Sequence, residues 1–517
     1  MYRRVEGLGV RILYIDCDSL RPDHLGCYGY HRNTSPNVDR IAADGLRFTD
    51  YYASDVPCGP SRTGLFSGRF GIHTGVVNHG GTAADSRQRG PDREGSNTGS
   101  RRSWMTALRG AGHETALVSP FPQRHAAFHV LDGFEEWIDT GSGGTERADE
   151  VYPHAERWLS EHARDNDWYL HVNFWDPHTH YDTPASFGNP FAGESAPEFP
   201  SEGTIRSHYE SYGPHSARDV HHWYLTGNED RPDLPRVPDG TADREDFTRW
   251  IDGYDVGIRY MDRYIGELLD QLESAGVREE TLVIVSADHG ENQGELNVYG
   301  DYQTADRATC RVPLIASGPG VESGVVRGLR RNVDLAPTVT ELVGGDGPEN
   351  WDGRSFADVL TSGSDDGREF LVLSQGTWAC QRAVRWDDWL LLRTYHDGFK
   401  DFAPVELYDL DEDPHETTDL ARERPVVVRE GLALLEDWHS RRTMEDALGV
   451  NGGNPEGARA LRDPFFEVVR EGGPWYTRDN LESYASRLRE TGREGHAREI
   501  ERRSGVVAES VSSYLSD

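Results

Sequence analysis

The sequence predicts an α/β fold with a largely parallel central sheet and a smaller second domain. Short apolar runs rich in β-branched residues alternate along the chain with stretches whose apolar residues recur at helical spacing. Each of these runs passes directly into a polar loop, which is typical of parallel strands joined through helices. After about residue 365 the runs shorten and follow each other at hairpin spacing, which indicates a separate domain of antiparallel strands.

The first predicted strand covers residues 10–15 and ends in the polar sequence Asp16-Cys17-Asp18-Ser19. Because side chains alternate along a strand, Asp16 and Asp18 are expected to point to the same side if the strand continues that far. A helix is predicted over 37–45, and an apolar run over 46–52 then leads toward Cys58.

Three further strands are predicted, each preceded by a helical pattern. The strands cover 114–118, 168–174 and 281–285, and the last two follow helices over 151–161 and 254–273. The polar loops after them begin at Ser119, Asp176 and Ser286. In such sheets ligands bind beyond the carboxyl ends of the strands, so these loops and the one at Asp16 are expected to converge on one active site beside Cys58.

The predicted organisation has three parts. Residues 1–365 form a catalytic domain, 366–441 a small α+β domain, and 442–517 a helical tail rich in arginine and glutamate. The small domain is predicted to contain strands over 369–374, 383–386, 389–393 and 406–410 and a helix over 426–441. Within the catalytic domain, 80–102 is predicted to be a flexible loop, and 183–246 is either a lid or a solvated loop.

The chain is strongly acidic, with 89 Asp and Glu against 54 Lys and Arg and a formal net charge of -35. Lys400 is the only lysine. Nucleic acids and anionic membranes bind positive patches, so neither is expected as a partner. An acidic surface with almost no lysine suits a salt-loaded cytoplasm, where ions screen self-repulsion, and we therefore predict a halophilic source.

No stretch approaches the roughly 18 consecutive apolar residues of a membrane span. Residues 1–9 lack the apolar run and cleavage site of a signal peptide. The five cysteines have no paired spacing and are predicted to be reduced thiols, and the sequence contains no zinc motif. These features predict a cytoplasmic protein.

The stretch around Cys58 is predicted to present a reactive residue. Two prolines restrict the backbone around it, and Ser61 is a candidate N-cap for a short helix over 63–66. A group at a helix start lies in the positive end of the backbone dipole, and Arg62 adds a fixed cation. This environment suits an anionic substrate; the alternative is a cysteine that falls in a Pro/Gly turn by chance.

Four segments resemble motifs of the sulfatase family, in the order expected for that family, within a stretch of about residues 10–435. Cys58-Gly59-Pro60-Ser61-Arg62, followed by Gly68-Arg69, resembles the sulfatase signature. The other three are the segment from Asp18 to Gly29, Ser286-Ala287-Asp288-His289-Gly290-Glu291, and Asp176-Pro177-His178. The resemblance implies the alkaline-phosphatase-like α/β fold, with a small C-terminal domain of antiparallel strands and a helix.

The resemblance also implies a cofactor and a modification. In that family a maturation enzyme that generates formylglycine oxidises the signature cysteine, here Cys58, and the hydrate of the resulting aldehyde is the nucleophile. The leading acid of the first segment and the Asp and next residue of the second bind a metal, which implies Asp18, Asp288 and His289 as ligands, with Asp16 as a further candidate. Carboxylate oxygens with one imidazole favour Ca²⁺, with Mn²⁺ or Mg²⁺ as alternatives, over zinc.

The remaining catalytic roles follow from the same resemblance. His178 is expected to contact the sulfate and protonate the leaving alcohol, and His125 to act as the base. Arg124 stands near the position where many sulfatases have a lysine, and Tyr302 where they have a lysine or histidine that binds the sulfate; both are departures from the family. His180 is a further candidate for substrate binding.

The predicted function is hydrolysis of a small sulfate ester or a sulfated sugar, with Arg62 stabilising charge beside the nucleophile at position 58. Two alternatives remain. Enzymes of the same fold with a modified cysteine act as phosphodiesterases or phosphonate monoester hydrolases. A non-catalytic protein that binds sulfated ligands would keep Cys58 as a thiol.

Overall fold

The computed structural model describes residues 10–84, 103–141, 143–221, 236–348, 351–447, 463–504 and 514. Its strands are β1 (Arg11–Cys17), β2 (Leu46–Phe48), β3 (Tyr51–Tyr52), β4 (Asp55–Val56), β5 (Glu114–Val118), β6 (Glu136–Ile138), β7 (Trp168–Phe174), β8 (Thr281–Ala287), β9 (Asn292–Gln293), β10 (Tyr299–Asp301), β11 (Leu314–Ser317), β12 (Gly324–Val326), β13 (Arg330–Arg331), β14 (Phe370–Gln375), β15 (Cys380–Trp386), β16 (Trp389–His396) and β17 (Val405–Asp409).

The α-helices of the described residues are α1 (Pro36–Ala43), α2 (Cys58–Ser67), α3 (Gly71–Thr74), α4 (Trp104–Gly110), α5 (Phe121–Arg124), α6 (Ala148–His162), α7 (Glu202–Glu210), α8 (Arg244–Ala275), α9 (Arg307–Cys310), α10 (Leu335–Leu342), α11 (Ala357–Ser362), α12 (Pro425–Ala447), α13 (Pro464–Arg470), α14 (Leu481–Glu490) and α15 (Glu494–Arg503). Among these, no helix combines the length and the apolar composition needed to cross a membrane.

Eight strands form the central sheet in the order β12-β2-β11-β8-β1-β7-β5-β6. The five strands from β8 to β6 run parallel, whereas β11 is antiparallel to both of its neighbours. Every residue of β1, β7 and β8 is buried, as is usual for parallel strands covered on both faces. The predicted α/β class with a mostly parallel sheet is confirmed.

The parallel register brings the polar loops to one edge of this sheet. Asp16, near the end of β1, lies opposite Asn173 of β7 and Ser286 of β8. The loops that carry Asp18, His178 and Asp288 therefore leave the sheet at the same level, as the alternation of strands and helices predicts.

The second sheet has the order β17-β16-β15-β14-β4. Strands β14 to β17 form the antiparallel meander predicted after residue 365. The fifth strand comes from the other end of the chain, because Asp55 and Val56 pair in parallel with Ser374 and Gln375. Since β4 directly precedes the cysteine helix, the small sheet is attached to the backbone that carries Cys58. The domain boundary near residue 365 stays a prediction.

The helix that carries Cys58 differs from the prediction at its start. α2 begins at Cys58 itself, with Pro57 at the N-cap position. The prediction that Ser61 caps a helix over 63–66 is wrong, because Ser61 lies inside the helix and its hydroxyl donates to the Asp288 carbonyl at 2.6 Å. Cys58 thus occupies the first helical position, where the backbone N–H groups lack helical partners.

The long helix α8 begins ten residues earlier than predicted. The Asp243 side chain accepts hydrogen bonds from the N–H groups of Glu245 and Asp246, which makes it the N-cap. The end of the predicted 183–246 segment is therefore helical, and α7 is a second helix within it. Residues 85–102 of the predicted loop and 222–235 of this segment lie outside the described residues.

Candidate active site

Arg62 binds three carboxylates at the carboxyl edge of the central sheet. Its Nε donates to Asp16 at 2.8 Å, and its Nη1 donates to Asp288 at 2.6 Å and to Asp18 at 3.2 Å. All four side chains are buried, and Phe121 packs on the guanidinium with its ring centroid 4.6 Å from Cζ. Buried charges require such pairing, so Arg62 holds carboxylates from β1 and β8 in one place.

His289 places one ring nitrogen, Nε2, beside the carboxylates that Arg62 binds. Its Nδ1 lies 2.8 Å from the Gly290 carbonyl and must donate to it, so in the neutral ring Nε2 carries the lone pair. The Cys58 sulfur lies 3.1 Å from this Nε2. The ligand atoms of Asp18, Cys58, Asp288 and His289 all lie within 4.8 Å of one another. Two carboxylates and an unprotonated imidazole nitrogen fit a hard divalent cation.

Asp16 is not a member of that set of four. Its carboxylate sits at Nε of Arg62, and its second neighbour is His171 of β7, whose Nε2 is 3.4 Å away. Asp16 lies within β1, one residue before its end, whereas Asp18 follows the strand. Asp16 Oδ2 thus orients Arg62, and a role for Asp16 as a metal ligand stays a prediction.

Four buried nitrogen atoms near Cys58 have no hydrogen-bond partner among the residues that the structure describes: Arg62 Nη2, Arg124 Nη1, His125 Nε2 and His178 Nε2. Trp175 supports two of these side chains. The guanidinium of Arg124 lies over its ring, with Cζ 3.3 Å from the centroid, and the ring of His178 stacks on it at 3.8 Å. Two guanidinium and two imidazole nitrogens in one buried region suit an anion with several oxygens.

The two predicted substrate-binding residues have different positions. The ring of Tyr302 is centred 4.4 Å from that of His289 and 5.5 Å from that of His178, so Tyr302 borders the site. For His180 the structure gives a ring contact with His221, centred 6.0 Å away, on the side of the 183–246 segment. A role for His180 in substrate binding stays a prediction.

Burial and neighbouring charges shift the titration of the site. Burial raises the pKa of the Cys58 thiol, as do Asp18 and Asp288, while Arg124 and Arg62 oppose the shift. Burial also lowers the pKa of His178 well below its usual value, and Arg124 lowers it further. The same causes, together with His79, lower the pKa of His125. An anionic ligand would counteract the part of these shifts that comes from neighbouring cations.

Three residues that border the site were not predicted from the sequence. Trp175 directly precedes the Asp-Pro-His segment, so its position could have suggested a supporting role. The backbone N–H of Gly59 donates to His79 Nε2 at 3.2 Å, and His79 Nδ1 lies 3.1 Å from the Tyr476 hydroxyl. No strand-end pattern marks His79. For Tyr476 the available signal is an aromatic pair, Trp475-Tyr476, in a polar tail.

Comparison with known proteins decides the family. The sulfatase family model matches residues 11–345, nearly two thirds of the chain. The chain belongs to the sulfatase family. A second model, described as the C-terminal part of N-sulphoglucosamine sulphohydrolase, matches residues 294–429, which include the second sheet. The recognition based on four sequence motifs is therefore confirmed.

Individual sulfatases resemble the chain over most of its length. Choline-sulfatase of Rhizobium meliloti is 26% identical over 492 residues, covering 85% of this chain and 88% of the relative. Arylsulfatase A of Homo sapiens is 25% identical over 507 residues, covering 88% and 92%.

Solved structures show the same fold. One, described as a complex with its substrate D-glucosamine-2-N,6-O-disulfate, has a TM-score of 0.68 at 21% identity and covers 85% of this chain and 99% of its own. A phosphonate monoester hydrolase from Silicibacter pomeroyi has a TM-score of 0.63 at 19% identity and covers 84% and 95%. At these identities the likeness concerns the fold alone.

Proposed function

We propose that this sulfatase-family protein hydrolyses sulfate esters of small molecules or sugars at the site around Cys58. The observation that carries the proposal is the group of four buried, unpartnered nitrogens on Arg62, Arg124, His125 and His178. A sulfate ester offers three terminal oxygens that share one negative charge, and each can accept charge-assisted hydrogen bonds. The names of the relatives, choline-sulfatase and arylsulfatase A, support the same substrate class.

The proposal includes a modified residue and a metal. Cys58 would be converted to formylglycine by a maturation enzyme, and Asp18, Asp288 and His289 would hold a divalent cation, with Ca²⁺ the best match to carboxylate ligands. When present, the formylglycine hydrate supplies the attacking hydroxyl and the cation supplies positive charge beside it. The ligand set and its tautomer support the metal, and the match to the family signature supports the modification.

Arg62 and Arg124 would bind the sulfate group. Arg62 uses Nε and Nη1 for carboxylates and keeps Nη2 for another partner. Arg124, stacked on Trp175, keeps Nη1. Because both side chains are already fixed by packing, their donors stabilise developing negative charge without reorganisation, which is the largest contribution in many enzymes.

His178 would protonate the departing alcohol. Its Nδ1 donates to the Thr179 carbonyl at 2.5 Å, so a proton for the leaving group must reside on Nε2, which has no partner. Burial and Arg124 disfavour that second proton in the free protein, whereas a bound anionic ester favours it. Binding of the ester therefore favours the protonated form of His178, which can act as the acid. His125, with its unpartnered Nε2, is left as the base for the second half of the reaction.

The first test replaces the nucleophile position. Cys58→Ala is expected to abolish hydrolysis of 4-nitrophenyl sulfate without changing the melting temperature, whereas Cys310→Ala, a matched change of another buried free cysteine, should retain activity. The mass of the tryptic peptide containing position 58 reports the modification, because an aldehyde is lighter than the thiol it replaces. Turnover in Cys58→Ala at the wild-type rate would refute the mechanism.

The second candidate function is hydrolysis of phosphodiesters or phosphonate monoesters. Two relatives favour it: the phosphonate monoester hydrolase of similar fold, and a protein of Trinickia caryophylli described as a multifunctional alkaline phosphatase superfamily protein, 25% identical over 491 residues. A panel of aryl sulfate, aryl phosphodiester and aryl phosphonate esters at equal concentration separates the candidates. A kcat/KM higher for either phosphorus ester than for the sulfate would replace our first choice. Finding only cysteine at position 58 in protein from the native host, with no turnover, would favour a sulfated-ligand binding protein.

A further inference from the structure

Residues 463–504, which we call the C-terminal segment, border the catalytic site although they lie beyond both family matches. One apolar cluster contains Cys58, Tyr302 and Trp378 together with residues of this segment: Tyr484, Ala485, Leu488, Ala497 and Ile500. Tyr476 packs against the same cluster, with its ring centred 4.8 Å from that of Trp378. The segment therefore forms part of the wall around position 58.

Buried ion pairs hold the C-terminal segment in place. Asp219 has no exposed side chain, and it accepts from Arg493 Nη2 at 2.7 Å and from Arg487 Nε at 3.1 Å. Asp463, at the start of the segment, pairs with Arg382 of β15 at 2.6 Å. Pairs of this kind fix geometry, because breaking one leaves an uncompensated charge in the interior. Tyr476 therefore lies on a segment whose position is fixed by ion pairs.

The hydrogen-bond directions around His79 determine where the Tyr476 proton points. Gly59, next to Cys58, donates its backbone N–H to His79 Nε2, so Nε2 must be unprotonated. The proton of the ring then resides on Nδ1, which donates to the Tyr476 oxygen at 3.1 Å. Because that oxygen acts as the acceptor, the hydroxyl proton of Tyr476 remains available for another group.

Tyr476 packs against the cluster that contains Cys58, and its hydroxyl is joined through His79 to Gly59, the neighbour of Cys58. Burial raises the pKa of Tyr476, and the charges of Arg124 and Cys58 contribute to the shift in opposite directions. The rings of His79 and His125 are 4.5 Å apart, so the relay also borders the proposed base. No lysine is free for the sulfate pocket, since the only one in the chain, Lys400, donates from Nζ to the Pro214 and Asn297 carbonyls. The neutral hydroxyl of Tyr476 would supply part of the sulfate binding that a lysine would otherwise provide.

We propose that Tyr476 binds the sulfate group of the substrate through its hydroxyl proton, and that His79 is the positioning residue that orients it. The inference rests on the proposed sulfatase function and adds a residue from outside the matched family regions. The relay runs from the Gly59 N–H through His79 to the Tyr476 hydroxyl and ends on a sulfate oxygen. It connects substrate binding to the helix start that carries the nucleophile.

The test measures the affinity of inorganic sulfate by calorimetry, at constant ionic strength, in the metal-loaded Cys58→Ala protein. One hydrogen bond to a charged acceptor is lost in Tyr476→Phe, so the Kd for sulfate should rise about 10- to 100-fold. Tyr395→Phe is the matched control, because Tyr395 is also half-buried and packs on Phe465 of the same segment without contacting His79 in the described structure. Its Kd should not change.

The role of His79 is tested by a double-mutant cycle. His79→Phe keeps an aromatic ring beside His125 and removes both relay hydrogen bonds, so it should weaken sulfate binding about as much as Tyr476→Phe. If the two act as one unit, the double variant should be no weaker than either single variant. Additive losses would overturn the positioning role.

An unchanged Kd for sulfate in Tyr476→Phe, or an equal loss in Tyr395→Phe, would overturn the role of Tyr476. With the natural Cys58 in place, kcat/KM for 4-nitrophenyl sulfate should fall by the same factor as the affinity, mainly through KM. Failure of the sulfatase function is distinguishable, because it would appear as wild-type protein that hydrolyses no sulfate ester. The sulfate-binding comparison decides the role of Tyr476 in either case.

Discussion

Replacing Asp16 and Asp18 separately by asparagine should separate two roles that carboxylates at the end of β1 perform. Asp18 belongs to the set of possible metal ligands, whereas Asp16 contacts Arg62 Nε. Three buried carboxylates and one guanidinium leave a negative charge that a divalent cation can neutralise, so both substitutions should weaken metal binding to some extent. Only Asp18→Asn also removes a ligand.

The expected magnitudes follow from these contacts. Changing a group that orients the site without touching the metal typically costs about 10- to 100-fold in affinity, and we expect Asp16→Asn near the lower value and Asp18→Asn above the upper one. Stability without metal should show the reverse order. Asp16→Asn weakens a charged 2.8 Å contact and should cost about 1–3 kcal/mol. In Asp18→Asn the 3.2 Å contact to Arg62 weakens, but repulsion between Asp18 and Asp288 disappears too, so the net change should be small.

Two measurements decide the outcome. Calcium titration calorimetry of chelator-treated protein gives the Kd for each variant, and urea unfolding of the metal-free protein gives the free energy of unfolding. Asp288→Asn serves as the matched ligand control for calcium binding and should behave like Asp18→Asn there. Because it also weakens the 2.6 Å contact to Arg62, its cost in stability should be closer to that of Asp16→Asn. If Asp16→Asn weakens calcium binding as much as Asp18→Asn does, Asp16 is a ligand and our assignment from the geometry is wrong.

Three further predictions concern stability. Burial lowers the pKa of Lys400 to about 7, so between that value and its unfolded pKa the unfolded chain binds more protons than the folded one. The stability of the wild type relative to Lys400→Met should therefore rise with pH in this range, by up to about 1.4 kcal/mol per pH unit. A stability difference that does not depend on pH would contradict this. Arg493→Met should lower the free energy of unfolding in urea by about 3 kcal/mol, because it leaves Asp219 without its closest partner. Arg498→Met breaks an exposed ion pair and should cost about 0.5 kcal/mol or less. Equal losses would refute the role of the Asp219 ion pairs in fixing the C-terminal segment. The net charge of -35 predicts a melting temperature that rises from low to multimolar KCl, and a flat or falling curve would exclude the halophilic source.

Much of the fold was predictable because it is encoded locally. The strands at 10–15, 114–118, 168–174 and 281–285 all exist within two residues of their predicted ends. Buried strands and amphipathic helices bring their own apolar patterns, and a parallel sheet with helical connections then requires the polar loops to meet at one edge. The convergence of Asp18, His178 and Asp288 follows from that topology.

Other features depend on contacts between segments far apart in the chain. The two-residue strand β4 is too short to show a period, and its pairing with β14 brings together residues more than three hundred positions apart. Ser61 has the residue type of an N-cap, yet the helix starts earlier because Asp288 offers a carbonyl to its hydroxyl. A local pattern cannot reveal such competition between partners.

By itself, the sequence determined the α/β class, the family, and the residues that carry the proposed chemistry at Cys58, Asp18, Asp288 and His178. Only the tertiary structure showed that Asp16 contacts Arg62 Nε, and that His79 links Tyr476 to the Gly59 backbone. The physical reason is that the apolar patterns that specify strands and helices lie in nearby residues. The direction of a buried carboxylate or hydroxyl depends on which distant donors and acceptors the packed fold places around it.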